Sequence, residues 1–311
     1  MSRAKGWIQA ARLRTLPLAA VGPLLGLAAL LRISPEQENT GLRLTFLLLT
    51  ALALQVLSNF ANDYGDYHKG TDNSLRVGPG RALQTGSLRP IDLLRAIWVC
   101  GGIALFCGLI LLWLNMGDLS PVALTAFFVL GLCAIWAAVQ YTVGRRAYGY
   151  MGFGDIFVFI FFGPVAVWGS YLLLGGVLQE SVALWPGLGL GFFAVGVLHM
   201  NNMRDVENDA ACGKITLAVR LGAGGGKLYH ILLLSTGISA WLYGLRSGGC
   251  TQLLIIQYAA IAPGILLAIL QGLFVINQEK RAGYDRLLKL MVVITLLTAL
   301  GYMLPTILIH C

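Results

Sequence analysis

Apolar stretches of bilayer length constrain this chain more than any other feature. A helix needs about 20 apolar residues to cross a hydrocarbon core. Nine stretches meet that measure, at roughly 14–32, 43–62, 94–114, 121–141, 154–176, 182–202, 228–246, 251–275 and 287–308. The chain is 57% hydrophobic and 12% charged, whereas a soluble domain carries about 25% charged residues. In lipid every backbone polar group must be satisfied internally, and stretches this long do so as helices. The expected architecture is an all-α membrane protein with nine transmembrane helices in a single bundle. No polar block is large enough for a separate domain, so residues 1–311 are read as one. The run Gly187, Gly189 and Gly191 suggests close helix contacts.

The net charge of +8 would suggest nucleic acid in a soluble protein. Here its distribution is a topology signal. Alternate connections carry nineteen of the 22 lysines and arginines, leaving only Arg32, Arg43 and Arg246 on the other side. By the positive-inside rule the N-terminus is cytoplasmic and the C-terminus periplasmic. Arg3, Lys5, Arg12 and Arg14 ahead of the first apolar run resemble the start of a signal peptide. No small-residue cleavage site follows, and the first span is expected to be retained. Cys100, Cys107, Cys133, Cys212, Cys250 and Cys311 form no C-x-x-C pair and read as small core residues.

Two acidic clusters interrupt this apolar chain. N-D-Y-G-D-Y-H-K-G-T-D-N (62–73) brings Asp63, Asp66 and Asp72; N-N-M-R-D-V-E-N-D (201–209) brings Asp205 and Asp209. Both fall on the cytoplasmic face, in loops expected at about 63–93 and 203–227. Carboxylates at the mouth of a membrane helix are costly to desolvate and mark a binding site. Asp63 and Asp66 share a face at three-residue spacing, and Gly70 lets the chain bend back to Asp72. Hard oxygen ligands without cysteine or a histidine pair favour Mg²⁺. Arg76, Arg81, Arg145, Arg146, Arg204, Lys214 and Arg220 are interleaved on the same face. Carboxylates with arginines suit a metal-bound diphosphate, because guanidinium groups bind phosphate oxygens in bidentate fashion.

N-D-Y-G-D after the second helix, and N-N-M-R-D-V-E-N-D followed by G-K-I-T-L-A-V-R-L-G, resemble the two aspartate motifs of the UbiA superfamily of intramembrane prenyltransferases. Within it, Asn62–Asp66, Gly70–Asp72 and Arg76–Pro79 are similar to the N-D-Y-x-D, G-[ST]-D and R-x-G-P pattern of the branch that prenylates 1,4-dihydroxy-2-naphthoate in menaquinone synthesis. The Tyr/Gly-rich stretch 141–163 is similar too. The 4-hydroxybenzoate branch has its third aspartate four residues after the second, where this chain has Gly70. The resemblance implies transfer of a polyprenyl group from an allylic diphosphate with loss of pyrophosphate and CO₂, giving demethylmenaquinone, in the bacterial inner membrane.

It further implies catalytic roles for Asp63, Asp66, Asp72, Asp205 and Asp209, with Mg²⁺ on Asp63, Asp66, Asp205 and Asp209. Diphosphate binding is expected of Asn62, Arg76, Arg81, Arg145, Lys214 and Arg220. Acceptor binding is expected of Arg146, Tyr141, Tyr148 and Asn202, with Arg145 or Arg146 on the acceptor carboxylate. Tyr64, Tyr67, Tyr141, Tyr148 and Phe153 are candidates to flank the allylic cation, and His68 and His199 to move protons. The tail calls for an apolar groove open to membrane lipid. Two rival readings stand: another aromatic prenyltransferase of phytyl or homogentisate type, and an ion-coupled transporter with Asp155 as its deeper acid.

Overall fold

The structure is a computed structural model and describes residues 2–34, 39–73, 76–247 and 254–310. Cys250 and Cys311 lie outside the described residues. The other four cysteines are free thiols. Among the described residues the fold is all helical, in the order α1 (Arg3–Ala11), α2 (Leu16–Leu31), α3 (Thr40–His68), α4 (Pro90–Trp113), α5 (Pro121–Gln140), α6 (Gly154–Phe162), α7 (Ser170–Leu173), α8 (Leu184–Ala211), α9 (Leu217–Ser247), α10 (Leu254–Ile276) and α11 (Gly283–His310). Eight spans among the described residues are long and apolar enough to cross a membrane, α6 and α7 together forming one of them. The pair α1–α2, bent by 41°, makes a ninth if it is one span. The chain is a multi-pass membrane protein.

Local chemistry sets the helix ends. Ser2 accepts from the Lys5 amide and Ser120 from the Ala123 amide, each satisfying a free donor of the first turn. Pro90 and Pro121 occupy the first helical positions, where a missing N–H costs nothing. The span over 154–176 is interrupted: Gly163 leaves helical geometry and Pro164 leads into a π turn over Val165–Gly169 before α7. Proline cannot donate to the preceding turn, so the helix must adjust there. Expected at 228–246, the seventh span in fact begins at Leu217 and kinks at Gly222.

Side chains of Trp241, Tyr171, Tyr302 and Phe193 are fully buried where α2, α7, α8, α9, α10 and α11 meet. Small residues allow that approach. Gly189 lies flat on the Trp241 ring, and Gly191 abuts Gly163 and Phe159, as the glycine run suggested. Helix α5 is different, packing on α3 and α4 with Val122, Val129 and Trp136 each more than half exposed.

The two ends of the bundle are chemically unlike. At one end Arg43 pairs with Asp118, and Arg32 donates to Tyr302 at 2.7 Å. At the other, the acidic motifs gather. Four of the five aspartates do not lie in loops, and only Asp72 sits in the connection after α3. Asp63 and Asp66 are on the last turns of α3, and Asp205 and Asp209 on those of α8. The connections are shorter than expected, because tertiary contacts extend both helices through polar turns with weak intrinsic helix propensity.

Candidate active site

On α3, spacing places Asn62 and Asp66 one turn apart, and the Asn62 amide donates to Asp66 Oδ2 at 3.3 Å. Gly65 fits between them against the 141–143 turn, where a Cβ would stand 2.5 Å from Thr142 Oγ1. Beyond the helix Gly70 takes φ +73°, and the amides of Thr71 and Asp72 both return to the Asp66 carbonyl. This left-handed cap folds Asp72 back under the helix end. Helix α8 is docked to that turn by Asn208, whose amide donates to the Thr71 carbonyl at 2.9 Å.

Five buried carboxylates here face five cations. Asp63 takes Arg12 at 2.6 Å and Arg81 at 3.3 Å; Asp72 faces Arg76 at 3.5 Å and Arg81 at 3.7 Å. Asp205 is gripped by Arg204 at 2.6 Å, with Arg76 at 3.8 Å. Lys214 sits between Asp66 at 3.7 Å and Asp209 at 3.8 Å. Tyr150 donates its hydroxyl to Asp66 at 2.8 Å and also touches Thr71.

Burial, reinforced by the charge of Asp66, raises the Asp72 carboxyl to about 6 despite Arg81 and Arg76. Burial works against the Lys214 ammonium, but Asp66, Asp209, Asp205 and Asp72 outweigh it and leave its pKa above the ordinary value. Burial and Asp66 push the Tyr150 phenol up, so it remains a donor at any physiological pH.

These groups border a cavity of about 970 Å³. Asp66, Asp205, Asp209, Arg76, Arg81, Arg204 and Lys214 form its polar end. Its walls then turn apolar along α4, α5 and α6, past Leu109, Phe127, Ile135, Phe157 and Phe161, to Leu111 and Leu173. Tyr141 and Tyr148 stand at the transition, Tyr148 stacked on Phe157 with centroids 4.0 Å apart.

Not every expected residue reaches this cavity. Asp63 and Asp72 stand behind its wall, holding the arginines that line it. Arg145 and Arg146 lie on an exposed turn away from the cavity. Arg220 is also outside it, donating to the Met151 carbonyl at 2.7 Å and so bracing the turn that carries Tyr150. Asn202 is buried beside the cavity, whereas its neighbour Asn201 lines it. Tyr64, Tyr67 and Phe153 are not on the wall. His68 is exposed against Tyr64 and Tyr67, and His199 is sealed against the Gly226 carbonyl at 2.9 Å, so neither faces the site. Asp155 is at the start of α6, bonded by Tyr229 at 3.0 Å, and not at mid-membrane depth. Sequence reasoning missed Arg12, Tyr150, Asp285 and Lys289 as site groups.

The donor set fits a hard divalent cation. Asp209, on the cavity wall, has its Oδ2 buried without a hydrogen-bond donor, an arrangement that costs about 1–3 kcal/mol unless a ligand compensates. Among the described residues no three acidic, histidine or cysteine side chains converge on one point. Mg²⁺ is commonly held by one or two carboxylates with substrate phosphates, and Asp66, Asp205 and Asp209 are the aspartates at the polar end that could supply such carboxylates.

The model of the UbiA prenyltransferase family matches residues 16–296. The chain belongs to that family. Among UbiA-family relatives it is 44% identical to the 1,4-dihydroxy-2-naphthoate octaprenyltransferase of Haemophilus influenzae, over 76% of each chain. It is 39% identical to the Escherichia coli protein of the same name, over 75% of this chain and 74% of the other. The fold is shared with a solved UbiA homologue from Aeropyrum pernix (TM-score 0.68, 14% identity, 94% of this chain and 98% of that one). It is shared too with one from Archaeoglobus fulgidus bound to GPP and Mg²⁺ (TM-score 0.63, 14% identity, 93% and 98%).

Proposed function

We propose that this UbiA-family protein transfers a polyprenyl group from an allylic diphosphate to 1,4-dihydroxy-2-naphthoate, releasing pyrophosphate and CO₂. The immediate product is the prenylated 1,4-dihydroxynaphthalene, the quinol form of demethylmenaquinone, which reaches the quinone only by a separate two-electron oxidation. The observation that carries the reading is one continuous cavity with carboxylates and cations at its mouth and an apolar bore behind them.

The reaction breaks the allylic C–O bond and forms a C–C bond to the ring carbon that bears the carboxylate. The C–carboxyl bond then breaks, and its electron pair restores the aromatic ring. No proton need leave that carbon, which agrees with histidines that do not face the cavity. Asp66, Asp205 and Asp209 are the residues that would hold Mg²⁺, no more than two on any one ion, and the metal would supply neutralisation of the charge that develops on departing pyrophosphate. Arg76, Arg81 and Lys214 bind the diphosphate oxygens at the polar end, preorganised by the aspartates behind them. Asp63 and Asp72 hold those arginines in place. Tyr150 fixes one oxygen of Asp66. Tyr141, Tyr148 and Phe157 present ring faces where the allylic cation forms, each worth about 0.5–2 kcal/mol. The apolar bore takes the tail and excludes water from the cation.

We further read nine spans with a cytoplasmic N-terminus, a periplasmic C-terminus and residence in a bacterial inner membrane, supported by the lysine and arginine asymmetry. A transporter would need acids at membrane depth, and the acids found here gather at one end.

The test follows pyrophosphate and CO₂ release together from purified protein with 1,4-dihydroxy-2-naphthoate, a prenyl diphosphate and Mg²⁺. Equal amounts of both, lost with EDTA or Asp66→Asn, are expected. Pyrophosphate without CO₂ would replace the naphthoate with another aromatic acceptor.

A further inference from the structure

With Arg145 and Arg146 outside the cavity, the acceptor carboxylate needs another cation. The wall between α8 and α11 supplies a connected set of groups. Arg204 donates to Asn201 at 2.8 Å, to both oxygens of Asp205, and to Asp285 at 3.0 Å. Asp285 in turn receives Lys289 at 2.6 Å. All five residues line the cavity, alongside Leu288 and Val292 from α11 and Val197 and Leu198 from α8. Charged groups next to aliphatic side chains suit an aromatic ring with one anionic substituent.

The cations around the cavity are not equivalent. Arg76, Arg81, Arg204 and Lys214 have side chains no more than 12% exposed, and each faces two carboxylates. Arg12 is 24% exposed and bonds both Asp63 and Asn62, whereas Lys289 is 57% exposed with one ion pair. An ammonium has three donors, so two remain for a ligand. Its partner Asp285 holds the ammonium at the cavity wall, and Arg204 ties that position to Asp205 at the polar end.

We propose that Lys289, steered by Asp285, binds the carboxylate of the aromatic acceptor in the α8–α11 wall of the cavity. This rests on the prenyl-transfer reading above and adds the acceptor subsite to it. The ring then lies beside Asp205, within the same cavity as the donor's reacting carbon, while the tail occupies the α4–α6 side. Lys289 recognises the substrate and takes no part in the bond changes.

The test compares two acceptors that differ only in the carboxylate, 1,4-dihydroxy-2-naphthoate and 1,4-dihydroxynaphthalene. Binding of each is followed by tryptophan fluorescence, so the second need not turn over, and steady-state rates are measured with the first. Lys289→Met should weaken naphthoate binding and raise its KM about tenfold or more, the scale of a charge-assisted hydrogen bond. Binding of the diol and the KM for prenyl diphosphate should stay within twofold, and Lys289→Arg should recover most of the loss. Lys5, an exposed cation that also borders the cavity, is the internal rival. Equal losses for both acceptors, or a carboxylate-dependent loss from Lys5→Gln in place of Lys289→Met, would overturn the assignment. Absence of pyrophosphate release by the unaltered protein would instead defeat the parent reading.

Discussion

Tyr150 donates its hydroxyl to Asp66 at 2.8 Å from a turn 84 residues further along the chain. The bond occupies one oxygen of a carboxylate on the cavity wall and leaves the other facing Lys214. Tyr150→Phe removes the donor with little change of shape. The expected result is about a tenfold loss of kcat/KM for the prenyl diphosphate, the scale of a hydrogen bond to a charged group. Steady-state kinetics at saturating acceptor would measure it, and an unchanged value would remove Tyr150 from the site.

Gly65 admits the 141–143 turn to the end of α3, with no room for a Cβ beside Thr142. Thr142 itself donates to the Ala61 carbonyl at 2.9 Å, fixing the contact from the other side. Gly65→Ala should force the two segments apart at a cost of about 1–3 kcal/mol. A lower melting temperature in detergent and a large loss of activity are expected together. Wild-type stability in the variant would mean that the turn yields freely.

Cations that look alike in sequence should separate sharply by mutation. Arg145→Gln and Arg146→Gln change exposed side chains outside the cavity, and kcat/KM should stay within about twofold, as for surface substitutions generally. Lys214→Met removes a buried cation shared by Asp66 and Asp209. Loss of such a preorganised group costs about 100-fold or more in kcat. Parallel rate measurements on the three variants test the contrast.

Asp72 sets a pH dependence of stability. Burial and Asp66 raise its pKa from 3.8 to about 6, so between those values the folded protein holds this proton more tightly than the unfolded chain. Its contribution to stability is therefore complete below about pH 4 and is lost as pH rises through about 6. Asp72→Asn abolishes the titration. In EDTA-containing buffer, the stability of the unaltered protein should fall relative to Asp72→Asn by about 1 kcal/mol as pH rises from about 5 to about 7, read as a lower melting temperature. Parallel curves for the two proteins would show that Asp72 titrates normally.

The helices and the acidic end were legible because hydropathy reports membrane spans and charge reports which face they end on. The same information says nothing of azimuth. Arg220 and Lys214 sit six residues apart near one helix start, yet Arg220 turns to the Met151 carbonyl and Lys214 into the acids. Arg12 read as a topology signal, but its left-handed backbone between α1 and α2 aims it at Asp63. Asp285 and Lys289 form an i, i+4 pair of a kind found on countless exposed helices. Only the packing of α11 against α8 makes that pair part of a cavity. Polar turns ordinarily end a span, which puts Asp63, Asp66, Asp205 and Asp209 in loops as Asp72 is, and only the contacts of Gly65 and Asn208 reveal that the helices continue.

Helix α5 separates the bore from its surroundings by the thickness of one helix, with Phe127, Leu130 and Ile135 on the cavity and Val122, Val129 and Trp136 well exposed. Under the proposed reaction, donor and product both carry tails that never enter water, so each must be exchanged with the surrounding bilayer. A slender partition ties that exchange to the stiffness and viscosity of the lipid around it. Turnover then has two clocks, one set by chemistry at the aspartates and one set by the membrane in which the protein floats.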